Sequence, residues 1–328
     1  MKAGVPKSRA EVKDLEQLRQ LFLDAPERSG VSDYWSDNSL LELYDSTFAR
    51  RILWKWEAVV RELALKNWVP PPNASRWVDW GCGSGVASEA FLLGFETSEP
   101  QEIILSDRSL HAMQFSEKKI RHLRPQARIV PLSPEQLQIQ ETDLVLISHV
   151  LTELNDDQFQ TLSENIESAA AIVWIEPGTP FCSRRLISLR QRLLSKFEVI
   201  APCPHQGNCG LQEEGRDWCH FFAPAPSEVF QSSEWMNFSR EMKIDLRSLP
   251  VSFLVLQKKS ALKPSSTQQS VKRALGRPRF YKGHAKLLIC SNEGVNEASL
   301  QERNHKSSFK SWQRDSFVVE ITNAQDCD

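Results

Sequence analysis

Two groups of residues in this chain could do chemistry. The first is Cys203, His205, Cys209, Cys219 and His220, three cysteines and two histidines within eighteen residues of a Pro/Gly-rich segment. Thiolates and imidazoles crowded in this way are typical metal ligands. The spacing fits neither the C-x2–4-C pairs of common zinc sites nor the paired histidines of a finger. A sulfur-only site needs a fourth thiolate; Cys82, Cys182, Cys290 and Cys327 are all available, and spacing does not choose among them. The second group is Asp79-Trp80-Gly81-Cys82-Gly83-Ser84-Gly85. Three glycines at alternate positions let the backbone turn sharply and approach a ligand with no Cβ in the way. A dinucleotide fingerprint is excluded because Val86 stands where its third glycine belongs. The absence of Gly-Lys-Ser/Thr after the turn excludes a triphosphate loop.

The elements around the turn give it a setting. Arg76 to Trp80 reads as a buried strand and 86–93 as a helix whose first amides point at the turn. Glu102 to Asp107 is a second strand ending in a carboxylate, 22 positions after Gly85. That is close to the spacing at which a strand-end acid meets ribose hydroxyls in βαβ nucleotide sites. The string hydrophobic-Asp-hydrophobic-G-x-G-x-G resembles motif I of class I S-adenosylmethionine (SAM) methyltransferases. The resemblance implies SAM as cofactor, with Gly81, Gly83 and Gly85 against its amino-acid end and Asp79 nearby; Asp107 is the expected ribose ligand.

From 76 to 201 strands (76–80, 102–106, 127–130, 143–147, 171–175, 197–201) alternate with helices (86–94, 109–122, 157–169, 180–196). That order predicts an α/β fold, a Rossmann-like class I SAM-methyltransferase sheet, closed by a further strand at 250–257 after an interruption of about fifty residues. Before it, 12–23 and 40–68 carry apolar residues at helical spacing, and Trp54, Trp56 and Trp68 are expected in the core. The expected division is a helical N-terminal region (1–72), a methyltransferase-like domain (73–259) with its cysteine loop (201–222), a basic linker (260–283), flexible over Ser260–Ser270, and a small β-rich extension (284–328) with strands near Ala285–Ile289 and Phe317–Ile321 and a frayed end at Asn323–Asp328. At the end of the fourth strand, Ser148 and His149 stand where substrate-facing residues are usual. His149 is the one candidate general base, and no other catalytic group is evident.

Segments beyond the glycine turn resemble a more specific family. PCPHQGNCG…DWCHF, the turn Glu176-Pro177-Gly178-Thr179-Pro180 and GRPRFYKGHAKLLIC look like the small-ribosomal-subunit-associated methyltransferase-like proteins of mitochondria and their bacterial counterparts. The resemblance covers roughly 40–290. It implies a 4Fe-4S cluster held by Cys203, Cys209, Cys219 and Cys290; the residues themselves leave open a zinc loop in which His205 or His220 replaces a cysteine. It also implies work on the small ribosomal subunit, either as an active rRNA methyltransferase or as a non-catalytic assembly factor.

The net charge of −2 excludes global steering toward nucleic acid. Locally, nine Lys/Arg and no acid lie between Lys258 and Lys286. Lys272, Arg273, Arg277, Arg279 and Lys282, interleaved with Phe280 and Tyr281, are the expected contacts to rRNA phosphates. No run approaches the ~18 apolar residues of a membrane span. The N-terminus resembles neither a secretory nor a transit signal, so a cytoplasmic, reducing compartment and a monomeric chain are expected.

Overall fold

The computed structural model describes residues 8–24, 38–212, 215–259 and 272–307, together with 6, 35, 309 and 310. They fall into two compact units, Met1–Glu176 with Pro224–Leu249, and Pro177–Ala223 with Pro250–Asp328.

The first unit opens with three helices, α1 (Arg9–Asp24), α2 (Asn38–Ser46) and α3 (Phe48–Leu65). The stretch expected as one helix over 40–68 breaks at Thr47, whose hydroxyl donates back to the Leu43 carbonyl at 2.6 Å. A Thr hydroxyl that bonds the preceding turn competes with helix continuation. Ile52, Leu53, Trp56, Val59, Val60 and Leu63 form the buried stripe of α3. Trp54 packs on Trp235 with ring centroids 5.0 Å apart, and Trp68 lies edge-on to Phe91 and Phe95. The tryptophans are core residues, as their spacing predicts.

Five strands follow: β1 (Arg76–Trp80), β2 (Glu102–Ser106), β3 (Arg128–Leu132), β4 (Asp143–Ser148) and β5 (Ala171–Pro177). Between them run α4 (Val86–Gly94), α5 (Leu110–Leu123) and α6 (Asp156–Asn165). The strands are parallel in the order β3-β2-β1-β4-β5. This is the Rossmann-like parallel sheet that the alternation predicts. Leu144, Val145, Leu146 and Ile147 are all buried, the continuous apolar run of a strand covered on both faces. The chain leaves β1 toward β2 on one side and returns to β4 on the other. The carboxyl ends of these three strands therefore border the switch-point crevice, where open α/β sheets bind ligands.

The second unit contains α7 (Pro180–Leu193), β6 (Phe197–Ala201), β7 (Phe221–Phe222) and β8 (Pro250–Lys258). The strand expected at 250–257 is β8, and it pairs antiparallel with both β6 and β7. A separate antiparallel sheet, in the order β11-β10-β9, is built from β9 (Arg273–Tyr281), β10 (His284–Ser291) and β11 (Gly294–Gln301). The basic half of the expected linker is thus strand β9. The flexible half, and the expectations for Phe317–Ile321 and Asn323–Asp328, lie outside the described residues. Among the described residues no helix is long and apolar enough to cross a membrane.

Candidate functional site

At the glycine turn, Gly81, Gly83 and Gly85 have φ of +68°, +49° and +74°, a region that side chains with a Cβ rarely adopt. A Cβ on Gly81 would lie 2.8 Å from Val150 Cγ1, and one on Gly85 3.0 Å from Ser116 Oγ. A Cβ on Gly83 would meet nothing within 4 Å, so the middle of the turn faces open space. Asp107, at the end of β2, accepts hydrogen bonds from the Gly83 amide (Oδ2, 2.9 Å) and the Ser109 amide (Oδ1, 2.9 Å). The cap of α5 is Ser109 itself, whose Oγ accepts from the Ala112 amide. Asp107 instead ties the second strand to the turn.

Asp79 is 1% exposed, and its Oδ2 accepts from the Ser88 amide (3.1 Å) and hydroxyl (2.7 Å). Burial pushes its carboxyl up to about 7 against the pull of those two donors. Its place is beneath the turn, anchoring α4. Lys119 reinforces the same corner, donating to the Ser84 carbonyl at 3.2 Å and pairing with Asp45 and Glu89.

His149, at the end of β4, has φ +55° and donates its amide to the Ile175 carbonyl at 2.9 Å. Its Nε2 lies 3.2 Å from the Lys55 ammonium and its Nδ1 3.4 Å from Ser148 Oγ, which also accepts from Trp56 Nε1. An ammonium has only donors, so Nε2 accepts and the ring proton sits on Nδ1. Burial, then the charges of Lys55 and Arg51, hold the imidazole well below its usual range. It is neutral, and the lone pair a general base would use is occupied by Lys55. Beside it, buried Glu176 takes the Val150 and Leu151 amides and Trp174 Nε1 on Oε1, and burial raises it to about 7. No motif points to Lys55, which stands in the middle of a helix among other charged residues.

The second unit gathers the thiols. Cys203, Cys209 and Cys219 line one cavity together with Arg190, Pro202 and Phe253. Cys290, on β10, is cross-strand partner to Arg273 of β9 and has its Sγ 3.5 Å from His205 Nε2. Burial, then the neighbouring thiols of Cys203 and Cys209, push Cys290 up to about 12. Burial, then the other three thiols, push Cys219 well above its ordinary range, and Cys203 is raised by burial against the pull of Arg190. The four cysteines named by the family resemblance are thus mutual neighbours, whereas Cys82 belongs to the glycine turn of the other unit. Among the described residues no three His, Cys, Asp or Glu side chains form a group that could hold a metal ion. His220 stacks on Trp218 at 4.6 Å and lies 3.0 Å from the Trp218 carbonyl. The loop is fixed to its surroundings by Ser252 Oγ, which donates to the Cys219 carbonyl at 2.8 Å.

The basic run needs a correction. Arg273 is 3% exposed and lies over the rings of Phe221 (4.1 Å) and Phe253 (5.6 Å), so it faces the thiol site rather than an RNA. Arg279 pairs with Asp217 (3.2 Å) and Glu297 (2.7 Å), and Lys286 pairs with Glu297 (2.6 Å). The charges read as uncompensated are partly neutralised by acids distant in sequence. Arg277, 4.0 Å above the Phe222 ring, and Lys282 are exposed cations on this sheet, and Lys272 is half-buried.

The family described as mitochondrial small ribosomal subunit Rsm22 matches residues 46–317. No curated protein matches the chain. Likeness to solved structures is distant. Mitomycin 7-O-methyltransferase is 14% identical, over 76% of this chain and 69% of its own, with a TM-score of 0.43. Magnesium protoporphyrin IX methyltransferase from Synechocystis, with SAM bound, is 10% identical over 75% and 97%, with a TM-score of 0.39. A plantazolicin methyltransferase in complex with SAH is 13% identical over 76% and 97%, with a TM-score of 0.36.

Proposed function

Because the chain belongs to the mitochondrial small ribosomal subunit Rsm22 family, we propose that it is a SAM-binding, methyltransferase-like protein that works on the small ribosomal subunit and carries an iron–sulfur cluster. The observation that carries the cofactor reading is the glycine turn at the switch point. Its middle residue faces open space, and the acid of the next strand is tied to it. The engaged Nε2 of His149 favours a role in binding and assembly over methyl transfer.

The thiol set fits a cluster better than a single ion. Four tetrahedral ligands at roughly 2.3 Å from one zinc must crowd together, whereas a cubane spreads its four thiolates around a larger body. Cys203, Cys209 and Cys219 line one cavity and Cys290 neighbours all three, and among the described residues they form no group that could hold a single metal ion. Neighbouring thiols whose ionised forms repel one another are poor free thiolates, and iron relieves that repulsion on binding. When bound, the cluster would supply a one-electron couple and a staple between the cysteine loop and β10. Lys272, Arg277 and Lys282 are the cations proposed to meet rRNA phosphates.

Two measurements test the reading. Calorimetry with SAM should show saturable binding that Asp107→Ala weakens, and no heat at high ligand concentration would remove the cofactor. Co-sedimentation with purified small subunits, but not with large ones, should persist at moderate salt. Failure to co-sediment would remove the ribosomal role.

A further inference from the structure

Arg190 is an anomaly in α7. It falls on the apolar stripe of that helix, between Leu186 and Leu193, and is only 2% exposed. Its hydrogen-bond partners are neutral: the His205 carbonyl at 3.0 Å and the side-chain oxygen of Gln191. Among the described residues no carboxylate pairs with it, and its Nε has no hydrogen-bond partner. A guanidinium keeps its charge when buried, and a buried charge without a counter-charge is strongly unfavourable. It lines the same cavity as Cys203, Cys209 and Cys219. The anion that would balance it must therefore occupy that cavity.

We infer that Arg190 is the internal counter-ion of the thiolate centre, a positioning residue whose charge is matched only when the cluster is bound. The inference rests on the iron–sulfur reading above. Four thiolates on an oxidised four-iron, four-sulfide core carry two net negative charges, and reduction adds a third. A fixed cation beside the sulfurs favours the reduced state and so raises the potential. Arg273, buried over two phenylalanine rings and opposite Cys290, is placed to supply a second positive charge. In the metal-free protein Arg190 is a burden, and in the loaded protein it is a support. That reversal distinguishes it from a residue that only packs.

The experiment uses the full chain, purified without oxygen, as wild type, Arg190→Met and Arg190→Lys. Each is studied loaded and after iron is removed by a chelator. Melting temperature is read in both forms, and the reduction midpoint is read by dye-mediated titration of the loaded form. Arg190→Met should melt no lower than wild type when metal-free and clearly lower when loaded. Its reduction should be at least tenfold less favourable, 59 mV for one electron. Arg190→Lys, which keeps the charge, should stay within about twofold of wild type in the same equilibrium, and it carries the test if Arg190→Met does not fold. Equal losses of melting temperature in both forms with an unmoved midpoint would overturn the inference, as would a tenfold change in Arg190→Lys. An iron-free wild type would instead defeat the iron–sulfur reading, and the inference with it, whereas a brown protein with equal shifts defeats the inference alone.

Discussion

The glycine turn and the thiol cavity are two sites built by opposite means. The turn is local: Asp79 to Gly85, one helix and the acid of the next strand lie within thirty residues, and its shape is set by backbone torsions and two carboxylates. The cavity is lined by Arg190 of α7, three cysteines of a loop and Phe253 of β8, with Cys290 of β10 a neighbour of those cysteines, a span of a hundred residues from Arg190 to Cys290. One site takes its shape from its own backbone torsions and hydrogen bonds. The other gathers thiols beside a buried cation that no described carboxylate pairs with. Local sites are preorganised by geometry, and long-range sites by what they bind.

The sharpest separation between the two should come from the cysteines. Cys219→Ser is expected to lose nearly all bound iron, read by metal analysis of anaerobic protein. Cys82→Ser and Cys182→Ser should retain it. Chelating the iron from wild type should speed proteolysis within 203–290 and leave SAM binding unchanged. Equal iron loss in all three variants would erase the distinction.

A second contrast lies in pH. Asp79, ordinarily near 3.8, is held at about 7 in the folded first unit, and Glu176, ordinarily near 4.5, is also near 7. For each, the native state keeps a proton that the unfolded chain has lost. The folded state therefore binds more protons between these limits, and stability falls as pH rises from about 4 to 7. For Asp79 the gap bounds the effect at about 4 kcal/mol. Asp79→Asn should flatten the slope of melting temperature against pH. Cys219 and Cys290, raised by burial, stay protonated over this range in the metal-free protein and should add no slope of their own.

Third, Gly83→Arg tests the open face of the turn. Nothing within 4 Å opposes a side chain there, so the fold should bear it at a strain of about 1–3 kcal/mol. SAM affinity by calorimetry should fall tenfold or more while iron content stays the same. Unchanged affinity would place the cofactor elsewhere. The smallest effect is expected on the β9–β10 sheet. Replacing Arg277 and Lys282 with Ala should lower the salt slope of rRNA binding by about one for each phosphate that is no longer neutralised. Arg279→Ala should change it less, because Asp217 and Glu297 already neutralise that residue.

These contrasts follow what could be read in the chain. The alternation from Arg76 to Ala201 and the glycine string determine the sheet and the turn, because both rest on short-range periodicity and backbone freedom. The break at Thr47 escapes the helical pattern because one hydroxyl decides it. The thiol set is legible only by resemblance: spacing leaves four candidates for the last ligand, and the β10 register is what brings Cys290 to the others. Arg190 is one of four arginines in α7, and no motif singles it out. The signal that finds it is its position on the apolar stripe with Leu186 and Leu193. The basic run misleads in the other direction, since sequence counts charges but not the partners that strand pairing supplies.

The proposed iron–sulfur cluster is put to the test by iron and acid-labile sulfide analysis of the wild-type chain purified without oxygen. A brown protein with about four irons and about four sulfides per chain is expected. A colourless protein without iron, or one carrying a single zinc and no sulfide, would contradict it.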